Sequence, residues 1–177
     1  MSALGTIGKI VRSSLSRGGA RKSKKSPAPE LEKGTFDYIR EPKSDCFSVG
    51  FAKTDVMPDD MDKTAYYVAG YRMNNPAKGV LDPMTASAVW IDDLSGRGGV
   101  VFVSIDDIGL TNYDVGIIRD LLADFKKESG CRSINIMSIH NHASIDTVGL
   151  WGPLPRSGRN KKYMELLAQK VKQVVLD

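Results

Sequence analysis

The sequence is poor in the residues that build metal and redox centres, with 2 histidines and 2 cysteines among 177 residues. Cys46 and Cys131 stand far apart, without CxxC spacing and with no histidine beside either. Neither a zinc knuckle nor a secreted disulfide framework fits, and both read as ordinary thiols. No apolar run approaches the roughly 18–20 residues that span a bilayer. No secretory h-region stands at the N-terminus, so the expected compartment is the cytoplasm, with export or membrane association left open. The glycine-rich run Ser95-Gly96-Arg97-Gly98-Gly99 has neither the spacing of a dinucleotide fingerprint nor a GK[ST] ending. It reads as a hairpin loop and not as a phosphate cradle.

Acids are missing from the start of the chain: Lys9, Arg12, Arg17, Arg21, Lys22, Lys24 and Lys25 all precede Glu30. The net charge of +4 therefore belongs to this arm, since the rest holds eighteen basic residues against the 21 acids. Residues 1–33, rich in Ser, Gly, Arg and Lys, read as a basic, disordered arm. A short amphipathic targeting or membrane-surface helix is the alternative, because Leu4, Ile7, Ile10, Val11 and Leu15 recur at near-helical spacing. Residues 34–177 form the body, whose interleaved charges offer no nucleic-acid surface. The chain as a whole is 41% hydrophobic, enough for the body to bury one sizeable core.

Short β-type segments open the body: Phe47–Thr54, Tyr66–Tyr71, Thr85–Asp92 and Val100–Asp106, parted by turn residues such as Met57-Pro58-Asp59-Asp60 and Asn74-Asn75-Pro76. A helix is predicted over Tyr113–Ser129, with Ile117, Ile118, Leu121, Leu122 and Phe125 in one stripe. Thr111 or Asn112 caps it and Gly130 ends it. Ser133–His140 follows as a strand. Strand, helix and strand at these lengths make a right-handed βαβ crossover with parallel strands. After a loop rich in proline and glycine, Arg159–Leu176 carries a last helical stripe. The expected fold class is α/β, with α+β open: a mixed β-sheet with helices packed on it.

The two histidines, His140 and His142, end an alternating apolar run. Extended backbone turns positions i and i+2 to one face, so both would address one metal ion or ligand. Ligands in open α/β sheets bind beyond the carboxyl ends of strands, and Asp106 and His140 both stand at such ends. If the strands are neighbours, a carboxylate and an imidazole share one rim. Neutral imidazole is a strong zinc ligand, and a catalytic zinc usually has three protein ligands and an activated water. Two histidines and Asp106 barely supply that set. Leu150-Trp151-Gly152-Pro153-Leu154 could line an apolar cleft beyond them or pack onto the core.

Five segments, in order, resemble the N-terminal part of the neutral/alkaline non-lysosomal ceramidases. They are Val49–Val56, Ala69-Gly70-Tyr71, Gly79-Val80-Leu81 with the strand Ala86–Ile91 that follows it, Val101–Asp106 (VFVSID), and Asn135–His142 (NIMSIHNH). The resemblance spans about residues 47–175. It implies zinc-dependent hydrolysis of the N-acyl amide of ceramide or a related lipid amide. His140 would be a zinc ligand, His142 would assist substrate or transition state beside it, and Asp106 is the catalytic candidate on the same rim. A lipid amide is then the expected substrate, with membrane-surface contact and no nucleic acid as partner. Ala143-Ser144-Ile145-Asp146 replaces the family's Ser-Gly-Pro, which puts ceramide itself in question. The family's other ligands, a histidine, a glutamate and a tyrosine, come later in its sequence. The resemblance thus implies a part of a larger, ceramidase-like catalytic domain that is inactive alone. The competing expectation is a non-catalytic α/β binding domain whose histidines are structural and whose basic arm tethers it to an anionic partner.

Overall fold

A computed structural model describes residues 41–43 and 45–177. The basic arm 1–33 lies outside the described residues. Four strands, β1 (Ser48–Asp55), β2 (Thr85–Asp92), β3 (Val100–Ile105) and β4 (Ser133–Ser138), form one sheet in the order β1-β2-β3-β4. The β1/β2 and β2/β3 pairs are antiparallel, and β3/β4 is parallel. The mixed sheet, its crossover and the helices packed on it make the fold α/β.

Each element follows from local chemistry. The glycine-rich run closes the β2–β3 hairpin, where Ile91 pairs with Val100. The crossover helix begins with a capping box: Thr111 accepts from the Asp114 N–H, and the Asp114 carboxylate accepts from the Thr111 N–H. It is two helices, α1 (Asn112–Leu121) and α2 (Ala123–Ser129), and not the single one predicted. The chain tightens at Leu122, whose N–H bonds Arg119 O, and Leu122 is fully buried. Arg119 reaches out of α1 to Ile134 O with Nε and Nη2, at 3.1 and 3.0 Å, fastening helix to β4. Gly130, at φ 72°, ends α2 in the left-handed cap that glycine favours. The last helix, α3 (Lys161–Leu176), starts from the Asn160 side chain, which accepts from the Tyr163 N–H.

The three described helices lie on one sheet face. Ala86, Ala88, Val101, Val103, Ile105 and Ile134 turn inward and are buried with Ile118 and Leu122 from the crossover and with Tyr163, Leu167, Val171 and Val174 of α3. The register puts Phe51, Val89 and Phe102 in one row on the other face, with Val49 and Ile91 beside them. There Phe51 is 68% exposed. No helix among the described residues is long and apolar enough to cross a membrane.

The expected strand Tyr66–Tyr71 is instead a clamp with two isolated bridges, Tyr67 to Pro76 and Val68 to Ile145. Its root is fixed by Tyr66, whose hydroxyl donates to Asp60 Oδ1 at 2.6 Å. Burial, with the Asp60 bond, pushes the Tyr66 phenol up to about 12.

Candidate functional site

The carboxyl ends of β3 and β4 come together because the two strands are parallel neighbours. Beyond the ladder, Ile139 N–H donates to Ile105 O and Asn141 N–H to Asp107 O. These bonds bend the chain out of the sheet. Strand β4 therefore stops at Ser138, two residues before the predicted end, and His140 takes a left-handed conformation at φ 65°. For a residue with a Cβ this costs on the order of 1 kcal/mol and is found most often at functional sites. The same-face geometry expected of an extended HxH run is thus replaced by a turn, and the turn brings the imidazoles together.

The His140 Nδ1 lies 2.8 Å from Ile108 O. A carbonyl oxygen only accepts, so Nδ1 carries the hydrogen and the neutral ring's lone pair falls on Nε2. That nitrogen faces His142 Nε2 at 3.1 Å, with ring centroids 4.9 Å apart. Two imidazole nitrogens on one tetrahedral zinc, each at about 2.0–2.1 Å, stand roughly 3.3 Å apart. The pair fits two positions of such a centre, and the Ile108 carbonyl is the outer partner that fixes a ligating tautomer. Among the described residues no group of three or more His, Cys, Asp or Glu could hold a metal ion. The fit is to half a donor set.

Asp106 stands on the same rim and is engaged by β2. Its Oδ2 accepts from Thr85 N–H and from the Thr85 hydroxyl, both at 2.8 Å, while its own N–H donates to Thr85 O. It ties the end of β3 to the start of β2. No hydrogen bond joins it to either histidine.

The neighbour, Asp107, was not singled out from the sequence. It is 1% exposed, and neither carboxylate oxygen has a hydrogen-bond partner. Burial pushes its pKa up to about 6, helped by the charges of Asp106 and Asp114; the Ser138 hydroxyl opposes the shift from outside full hydrogen-bond geometry. A sequence signal did exist: Val101, Val103 and Ile105 point inward, and the same alternation carries position 107 into the core.

The loop after the histidines is held by Asp146, which is fully buried and accepts from the N–H groups of Val148, Gly149 and Trp151. Arg159 then ties this loop to the crossover, donating to Thr147 O and pairing with Asp114. Trp151 O accepts from Asn74 N–H, joining the loop to the clamp that begins at Tyr66. Tyr71, at the end of that clamp, sets its ring edge-on to His142 with centroids 5.0 Å apart.

No family model and no curated protein matches the chain. Among solved structures, the chain is similar to the neutral ceramidase of Pseudomonas aeruginosa, with a TM-score of 0.57 and 17% identity over 76% of this chain and 21% of that one. A second similar structure is described as a ceramidase complexed with C2, at TM-score 0.54 and 16% identity, covering 72% of this chain and 20% of that one. The chain spans about a fifth of the length of these proteins. At such identity the likeness is one of fold: these residues adopt a ceramidase-like α/β arrangement with a histidine pair at the carboxyl rim of its parallel strands.

Proposed function

We propose that this chain contributes one wall of a zinc amidohydrolase centre of the neutral ceramidase type, acting on the N-acyl amide of ceramide or a related lipid amide. The carrying observation is the convergence of two imidazole nitrogens, one held in a ligating tautomer by Ile108 O, at the rim of a ceramidase-like fold. Zinc, when bound, supplies Lewis acidity and a nucleophile at neutral pH. His140 would hold it through Nε2. His142 would sit beside it, as a second ligand or as the group that holds and passes a proton at Nε2. Asp106 would act at one remove, keeping the rim fixed through Thr85. The rest of the donor set must come from outside the described residues or from a partner, and these residues by themselves should show little or no hydrolysis.

A lipid substrate suits the rim. Tyr71, Val80, Leu81 and Leu154 are exposed on its loops, Leu81 at 98%, with Arg72, Lys78 and Arg156 exposed among them. Such a mixture favours contact with a membrane surface.

Elemental analysis and zinc titration of the purified chain beside His140→Ala test the reading. Weak zinc binding that disappears in His140→Ala is the expected result. Binding of no metal, or binding indifferent to His140→Ala, would overturn it. That second outcome fits the rival binding-domain reading, which the 3.1 Å separation favours as an ordinary N–H···N hydrogen bond between structural histidines.

A further inference from the structure

We infer that Gly70, together with Tyr71, is a positioning device that aims His142 at His140. An imidazole on a partly exposed turn has several rotamers open to it, and something must hold it in one. Gly70 packs against the root of the His142 side chain, where Cβ joins the ring. A Cβ built at this position would stand 2.6 Å from both Cγ and Nδ1 of His142 and 2.7 Å from its Cβ, closer than any real contact. The backbone at Gly70 has φ 107°, a conformation that residues with side chains rarely adopt. Space and conformation thus demand the same residue. Tyr71 meets the same ring edge-on, with centroids 5.0 Å apart, although its own side chain is 85% exposed. So exposed an aromatic gains little from burial, and its ring contact within the described residues is with His142.

The wall is anchored independently of the ring it holds. Ala69 N–H donates to Ser144 O at 2.9 Å, two residues beyond His142, and Asp146 N–H donates to Tyr67 O at 2.8 Å. Val68 bridges to Ile145. A change at Gly70 must therefore displace the imidazole, because the backbone on both sides is pinned. The consequence for metal affinity rests on the function proposed above; the geometry does not.

Two histidines make the test clean, since long-range nitrogen–proton NMR spectra will show two imidazoles only. In the native chain the His140 ring should be Nδ1-protonated, with cross-relaxation between the two rings. In Gly70→Ala that cross-relaxation should vanish, the His142 signals should move, and zinc affinity should fall tenfold or more. Tyr71→Ala should weaken binding several-fold and Tyr71→Phe should resemble the native chain. Two controls should leave the ring contact unchanged: Gly79→Ala, where an added Cβ meets nothing within 4 Å, and Ile118→Val, which trims a buried side chain of the helix-covered core. A folded Gly70→Ala with intact cross-relaxation and affinity within twofold of native would overturn the inference. If Gly70→Ala does not fold, the exposed Tyr71→Ala decides, and an unmoved His142 ring there is equally fatal. A native chain that binds no zinc yet loses its ring contact in Gly70→Ala would sink the metal reading and leave the positioning role standing.

Discussion

A carboxylate without partners in the core, Asp107, makes the stability of this protein depend on pH in an unusual direction. Its folded pKa is pushed up to about 6, so its contribution is most favourable below the ordinary carboxylate range and is lost as pH rises through about 6. A shift of this size corresponds to roughly 3 kcal/mol across that window. Asp107→Asn should therefore be more stable than the native chain at pH 8, by about 1–2 kcal/mol, and close to it near pH 4. Urea unfolding at the two pH values measures this, and parallel pH profiles for both proteins would refute it. At this scale the sequence was partly legible. The histidines stand out because there are two of them, next to a turn at the end of an apolar run. What the sequence hides is the left-handed backbone of His140, because the bonds that impose it join Asn141 to Asp107 and Ile139 to Ile105, more than thirty residues apart. The partner of Asp106 is hidden for a related reason. Asp106 stands just past the end of β3, and the Thr85 that donates to its carboxylate is 21 residues away along the chain.

Among the elements, the crossover helix bears the most testable chemistry. Thr111→Ala removes one side of the capping box and should cost about 1 kcal/mol. Asp114 does double service as capping partner and as counter-ion to Arg159. Burial works to raise its pKa, but the hydrogen bonds from Arg159 and Thr111 prevail and hold it below the usual carboxylate range. That stabilisation is present above the unfolded pKa and is lost as pH falls through the folded one, the reverse of Asp107. Arg159→Ala leaves a nearly buried carboxylate unpaired and should destabilise the fold by about 2 kcal/mol at pH 7 and by much less near pH 2, as thermal melts would show. Strand β2 and the start of β3 could be read to the residue, since alternation and a glycine-rich turn delimit them. The break at Leu122 could not, because the apolar stripe runs through it unchanged and the anchoring of Arg119 on Ile134 O is a tertiary event. Nor could the clamp from Tyr66 to Tyr71, whose β-rich composition finds only single bridges instead of a strand partner.

At the scale of the whole molecule, the described residues cover the sheet on one face only. Val49, Phe51, Ile91, Phe102 and Met137 are all exposed on the other. A contiguous apolar face of this kind promotes association. The double variant Phe51→Thr, Phe102→Thr should bind less of a hydrophobic dye and scatter less light at equal concentration, with secondary structure unchanged; equal scattering from both proteins would show that the face is inert. The distances along the chain between the groups that make up the histidine site carry a different consequence. The Ile108 carbonyl is 32 residues from His140, and the wall at Gly70 belongs to a segment before β2. No local stretch can build the pair, so it comes into being only when the crossover has closed and the clamp has docked, among the slower events for a chain with long-range contacts. An unfolded or half-folded chain offers two unaligned imidazoles. On the proposed function, metal capture should therefore report the end of folding, with cobalt absorbance during refolding rising no earlier than the last change in tryptophan fluorescence.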